Sequence, residues 1–314
     1  MLHTRVCDLL GIQHPLIQAG MASYATPELV AAVSNAGGLG VLGSVDWSVD
    51  ELAARVATIR QLTSLPFGVN LVLATPHADT LAWLLDARVP IISTSWGDPT
   101  AAVAAAHAVG TRVLHQVETP AEAARVAVAG VDVIIAQGSD GGGHIGRVGT
   151  LALVPAVVDA AGGVPVVAAG GIADGRGLAA VMLLGAEGAM LGTRFLATPE
   201  AGITGSWKAA IVAAESDAAW QSDVPDLVWG TRWPGATVRA LANDLLRRWQ
   251  GHEGELAQQL PAVQAAIGAA EAREAAEGFF LYAGQSAGLV RDITPAGELV
   301  RRIMVEAERV LGRG

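Results

Sequence analysis

Apolar positions in this chain fall in short unbroken runs. Between the runs they recur on one side of longer, Ala-rich stretches. The runs are Pro15–Gly20, Gly40–Gly43, Phe67–Leu71, Pro90–Ser95, Arg112–Val117, Val131–Gln137, Val164–Ala169 and Ala189–Phe195. Short runs that are apolar without alternation predict strands covered on both faces of a sheet. The stretches Pro27–Ala36, Val49–Leu62, Ala78–Ala87, Pro99–Val109, Pro120–Ala129, Ala152–Ala161 and Gly175–Leu184 predict the helices between them. Thr26-Pro27, Asp98-Pro99 and Thr119-Pro120 each set a side-chain oxygen before a first-turn proline, which marks helix starts.

Eight strands alternating evenly with helices by residue 195 predict an α/β fold, a (β/α)8 barrel of the TIM type. A doubly wound open sheet is the other fold considered. After Phe195 the texture changes. Residues 200–275 hold five of the eight tryptophans, with helical runs at Lys208–Ala214, Val238–Trp249 and Leu256–Glu277. This predicts a helical cap inserted before the last barrel helix. That last helix is expected in Thr294–Val310, with Leu299, Ile303 and Val310 on one face. The expected division is a barrel of residues 1–199 and 276–314 and a cap of 200–275. The tryptophans are expected mainly as packing, with one or two lining a cleft.

Composition narrows the function classes. The 314 residues are 52% apolar and carry a formal net charge of −10. An acidic chain argues against nucleic acid or an anionic membrane as partner. No apolar run reaches the ~18–20 residues of a membrane helix, and no signal-peptide pattern opens the chain, so a cytoplasmic location is expected. The single cysteine, Cys7, fits a reducing compartment and a small buried hydrophobe. The high apolar fraction is compatible with a homodimer without requiring one.

Barrel enzymes build their sites at the carboxyl ends of the strands. Gln18 to Met21, Gly43, Ser44, Asn70, Ser93 to Trp96, His115, Gln116 and Gln137 to Asp140 stand there, with Gly170-Gly171 and Gly192-Thr193 after the last two strands. The set is rich in amides and hydroxyls and poor in charge. It lacks ligand spacing for a metal and a partner carboxylate for Asp140, so metal hydrolysis and sugar cleavage are not expected. Amides that both donate and accept suit a neutral heteroaromatic ring such as a flavin's pyrimidine edge. The paired glycine turns, with the Thr193 hydroxyl, suit a phosphate held by backbone N–H groups.

The most distinctive stretch is Gly141-Gly142-Gly143-His144-Ile145-Gly146, a loop following the strand that ends near Ala136. Glycines allow a close backbone approach to a ligand. One titratable imidazole then stands in a bare loop, with a ligand expected as its neighbour, and it can act as a base near neutral pH. Asp140 could orient His144 or cap the loop. His115 is expected as packing or support.

Taken together, these motifs resemble the nitronate monooxygenase family (formerly 2-nitropropane dioxygenases), which includes flavin-type enoyl-acyl-carrier-protein reductases. The resemblance runs nearly end to end. It is carried by Gln18-Ala19-Gly20-Met21, Ala32 to Gly40, Pro66 to Leu71, Gln137 to His144, Ala169 to Gly177, Gly192 to Phe195 and Ala283 to Gly288. It implies non-covalent FMN, with Met21, Asn70 and Gln137 facing the ring and Gly170, Gly171, Gly192 and Thr193 holding the phosphate. It also implies that Gly142, Gly143 and His144 lie on the reactive side, with His144 as catalytic base. His144 would remove the α-proton of a nitroalkane or steady an anionic nitronate, the flavin would take an electron, and O2 would complete oxidation to a carbonyl and nitrite. The alternatives are an NAD(P)H-dependent reductase of enoyl thioesters or quinones, and a flavin-binding sensor or storage barrel. Gly20 stands where many monooxygenases have Pro, and Asp140-Gly141 where Glu-Ala is common.

Overall fold

The computed structural model describes residues 2–45 and 47–312. Met1, Asp46, Arg313 and Gly314, which fall within the expected barrel segments, lie outside the described residues.

Eight parallel strands close into a barrel in the order β1-β2-β3-β4-β5-β6-β8-β9. They are β1 (Leu16–Gln18), β2 (Leu39–Gly43), β3 (Phe67–Val72), β4 (Ile91–Ser95), β5 (Arg112–Val117), β6 (Val133–Gln137), β8 (Val166–Ala169) and β9 (Ala189–Leu191). β1 pairs with β9, Ile17 opposite Met190, and this pairing closes the ring. The continuous apolar runs arise because each strand faces packing on both sides. Ile17, Val41, Leu114, Val133 and Val167 pack inside the barrel, and Val6, Cys7 and Leu10 of the helix Arg5–Leu10 join the same cluster. Cys7 is buried there, and burial pushes its thiol pKa up.

Helix starts follow their caps. Thr119 accepts from the Glu122 N–H while Glu122 bonds back to the Thr119 N–H, and Thr26 Oγ1 accepts from the Leu29 N–H. The last helix, Ala296–Val310, buries Leu299, Ile303 and Met304, whereas Val310 is exposed, contrary to expectation. The run Ala189–Phe195 is not one strand. β9 ends at Leu191, and Thr193–Leu196 turns into a helix after Gly192.

The segment after residue 200 contains the helices Gly205–Ala213, Val224–Trp229, Asp244–Trp249 and Glu253–Glu271. It also contains β10 (Ala219–Ser222) and β11 (Thr237–Leu241), where the sequence reading expects only helix. With β7 (Gly143–Ile145) these form a second, antiparallel sheet in the order β10-β11-β7. The glycine stretch is therefore a short strand as well as a loop. A second core of Trp207, Trp249, Leu256, Ile267, Phe279 and Phe280 underlies this sheet.

Candidate active site

The carboxyl ends of the barrel strands open into a cavity of about 520 Å³, within the range of small-molecule sites. Met21, Asn70, Gln137, Gly142, Gly143, His144, Gly170, Gly171, Gly192 and Thr193 all line it. Ten residues spread over 173 positions of sequence thus line one cavity because each stands in the carboxyl half of a barrel strand or in the loop after it.

The amides are fixed in polarity. Asn70 Nδ2 donates to Ser93 O at 3.3 Å, so Asn70 Oδ1 is the end left for a ligand. Gln137 Oε1 accepts from Gln116 Nε2, which leaves the Gln137 NH2 as a donor. The wall thus offers one acceptor and one donor, a pattern that fits the edge of a flavin ring. Gly20 makes room for Asn70, since a Cβ at position 20 would stand 2.5 Å from Asn70 Cβ.

At the other end, Gly170 and Gly171 have φ of +97° and +75°, a left-handed pair that glycine alone adopts at low cost. Thr193 Oγ1 accepts from Gly284 N at 2.9 Å, so its proton is free to donate. No Lys or Arg lines the cavity among the described residues. A phosphate here would meet backbone N–H groups and a hydroxyl, and the residues present fit such a group.

His144 lies in β7 and is held by the neighbouring sheet. Val238 of β11 pairs with it, and Gly143 pairs with Arg239. Buried Arg239 donates from Nε and Nη2 to Ser139 O at 3.1 and 3.0 Å and ties the loop from below. His144 is not isolated. Its Nε2 lies 2.8 Å from Asp226 Oδ1, and Thr231 Oγ1 donates to the same oxygen at 3.0 Å. Because the carboxylate accepts, the neutral imidazole carries its proton on Nε2 and its lone pair on Nδ1. Trp233 stacks on the ring at 3.7 Å between centroids, and Trp96 stands edge-on at 6.4 Å.

Asp140 does not orient His144. Its Oδ2 accepts from the Thr150 N–H at 2.7 Å and caps the next helix. His115 is buried on the outer, helix-facing side of β5 rather than in the cavity, and its Nδ1 meets Thr94 Oγ1 at 2.8 Å. Burial pushes its pKa down to about 4. Gln18 is fully buried and staples β1 to β2 through both Val41 backbone groups. Three tryptophans line the cavity, Trp96, Trp229 and Trp233, joined by Tyr24, Phe280 and Tyr282. Trp207 and Trp249 are core residues. Among the described residues no group of three or more His, Cys, Asp or Glu could hold a metal, and no helix is long and apolar enough to cross a membrane.

Comparison with known proteins bears on the whole chain. The family model described as nitronate monooxygenase matches residues 3–83 and 73–306. A probable nitronate monooxygenase of Staphylococcus saprophyticus is 33% identical, with 99% of each chain covered. The (3aS,4S,5R,7aS)-5-hydroxy-7a-methyl-1-oxo-octahydro-1H-indene-4-carboxyl-CoA dehydrogenase of Mycobacterium tuberculosis is 37% identical over 79% of this chain and 68% of its own. Among solved structures, FabK from Thermotoga maritima superposes with a TM-score of 0.91 at 37% identity, covering 100% of this chain and 98% of that one. Nitroalkane oxidase from Streptomyces ansochromogenes superposes with a TM-score of 0.85 at 32% identity, covering 98% and 99%.

Proposed function

This chain belongs to the nitronate monooxygenase family, and from that premise we propose that it uses FMN to oxidise alkyl nitronates and their parent nitroalkanes with O2. That it is an oxidoreductase follows from the family and from its likeness to nitroalkane oxidase. The observation that carries the finer reading is the His144–Asp226 pair set over a cavity whose opposite parts offer ring-facing amides and a phosphate turn. A simple binding module has no use for a carboxylate-backed base, so the pair argues for turnover.

In this reading FMN, when bound, takes up the electrons of the substrate and passes them to O2. Met21, Asn70 and Gln137 would face its ring, with Gly142 and Gly143 beside it. Gly170, Gly171, Gly192 and Thr193 would hold its phosphate. His144 Nδ1 would accept the α-proton of a nitroalkane, and Asp226 would steady the imidazolium that forms. The aromatic wall excludes water from the developing carbanion. Overall, two nitronates and one O2 would yield two carbonyl compounds and two nitrites. The test is to reconstitute the protein with FMN and measure O2 and nitrite together. One O2 consumed per two nitrites supports the proposal, and no nitrite from any nitronate refutes it.

A second reading, NAD(P)H-dependent reduction of an enoyl thioester or quinone, draws support from the relative named for a carboxyl-CoA substrate. Six aromatic side chains also line the cavity, more than a small nitroalkane would contact. Oxidation of NADPH by an enoyl thioester, with no nitrite formed from nitronates, would favour it.

A further inference from the structure

Glu271 is the one carboxylate that lines the cavity among the described residues, and the proposed chemistry does not use it. It ends the helix Glu253–Glu271. Gln264 Nε2 of that helix donates to Val228 O at 2.7 Å and ties it to the end of the helix Val224–Trp229. Gln264, buried Ile267 and Glu271 recur at i, i+3 and i+7, so they share the face turned to the shorter helix. On the shorter helix, Trp229 stands one turn past Asp226, a separation of about 5–6 Å between Cβ atoms. Trp229 is 44% exposed and also lines the cavity, so this end of the cavity meets solvent one turn away from the His144–Asp226 pair.

Two features make a carboxylate unfavourable at position 271. Burial pushes its pKa up, with no neighbouring cation to oppose the rise. It also occupies the last turn of a 19-residue helix, whose carbonyl end repels an anion, and no basic residue stands in that turn. Its side chain has no hydrogen-bond or ion-pair partner among the described residues. Arg273, two residues on, and Arg232, between the cavity residues Thr231 and Trp233, are exposed and lie outside the lining. Aromatic faces surround the carboxylate instead. Burial, first, pushes the Tyr282 hydroxyl up. Trp229 bonds to that hydroxyl and opposes the rise, while the charge of Glu271 adds to it, so the three side chains share one neighbourhood.

We infer that Glu271 and the Trp229 ring form a subsite for a cationic group, so that the substrate class of this site is a short nitro compound bearing an ammonium or similar cation. The cation gains attraction from the indole face and from the carboxylate together. The rest of the cavity agrees. No Lys or Arg lines it among the described residues, so an anionic tail meets no counter-charge. The net charge of −10 draws cations toward the chain. A nitronate is itself an anion, and a cation on the same molecule makes it neutral overall before it enters these acidic surroundings. The one-turn spacing of Asp226 and Trp229 sets a spacer of a few methylene groups between the reacting carbon and the cation. The subsite rests on these contacts alone, while the reacting group rests on the functional reading above.

The experiment titrates the FMN-loaded chain by calorimetry with three probes of one length, hexylammonium, 1-hexanol and hexanoate. At low salt hexylammonium should bind about tenfold tighter than 1-hexanol, from a cation–π contact and an exposed ion pair together, with hexanoate weakest. The preference should shrink at about 1 M salt. It should fall toward unity in Glu271→Gln, weaken in Trp229→Leu and turn toward hexanoate in Glu271→Lys. In kinetics, 4-nitrobutan-1-amine should exceed its isostere 1-nitropentane in kcat/KM by a similar factor, and Glu271→Gln should remove the difference. Equal affinity for the three probes, or a preference that survives Glu271→Gln, overturns the inference. Preference for hexylammonium with no nitrite from either nitro compound overturns the functional reading and leaves the subsite standing. A protein that binds no FMN also overturns that reading, and the same titration of the unloaded chain then decides the subsite.

Discussion

Asp226 Oδ1 accepts a 2.8 Å hydrogen bond from His144 Nε2 across 82 residues of sequence, joining the helix Val224–Trp229 to the glycine loop after β6. The partnership assigns the proton of the neutral imidazole to Nε2 and the basic lone pair to Nδ1. Asp226→Asn should therefore retain FMN but lose about 10²–10⁴-fold in kcat on neutral nitroalkanes, the range of a misplaced general base. Preformed nitronates need no deprotonation and should lose far less. Steady-state kinetics on the two substrate forms measures the split.

Trp96 closes β4 with φ of 57°, in the left-handed region that a bulky side chain seldom adopts. Its ring stands 5.8 Å from Trp233 and completes the aromatic wall. Strain held at such a position costs about 1–3 kcal/mol. Trp96→Gly should leave the melting temperature unchanged or higher while KM for bulky nitroalkanes rises roughly tenfold, the loss of ~1.4 kcal/mol of ring contact. Thermal unfolding and KM measured on one preparation check both halves.

Gly142 is required by packing as well as by any ligand. A Cβ there would lie 2.6 Å from the backbone of Ala283 and Gly284, and Gly284 N is the group that donates to Thr193 Oγ1. Gly142→Ala should push that loop away, destabilise the fold by about 1–3 kcal/mol and weaken FMN binding. Gly268→Ala, inside the helix Glu253–Glu271 with open space around it, is the control and should stabilise by roughly 0.5–1 kcal/mol. Urea unfolding and flavin titration of both variants decide.

Two buried groups titrate with opposite consequences for stability. His115 is held neutral down to about 4, so below its unfolded pKa of ~6.5 only the unfolded chain gains the proton. Stability then falls as pH drops from 6.5 to 4. Glu118 holds its proton up to about 7, so above its unfolded pKa of ~4.3 the unfolded chain loses the proton first. Stability then falls as pH rises from 4.3 to 7. Each effect amounts to about 3 kcal/mol, and in the wild type they largely cancel. In Glu118→Gln, stability should rise steeply between pH 4 and 6.5. In His115→Gln it should decline over nearly the same window. Urea midpoints across pH measure both slopes.

The barrel could be read from local pattern because each strand is buried on both faces and each helix carries its own cap. Arg112–Val117, Val49–Leu62 and Pro120–Ala129 match the structure residue for residue. The ten cavity residues could be read because they stand at or just beyond the carboxyl ends of strands. What local pattern could not supply came from the segment after residue 200. Val238–Trp249 reads as one helix, yet Thr237–Leu241 is a strand, with Val238 and Ala240 buried and Arg239 saturated by carbonyl groups. Asp226 gave no local signal, since an acidic residue early in a short helix is ordinary, and its role depends on a contact made by folding.

The most direct test of the central claim mixes the FMN-loaded protein with a nitronate under anaerobic conditions, and separately with NADH or NADPH, while following flavin absorbance. The expected result is a spectral change with the nitronate, reversed on admitting O2 with release of nitrite, and little response to either nicotinamide. Bleaching by NADH or NADPH with no response to the nitronate would contradict it.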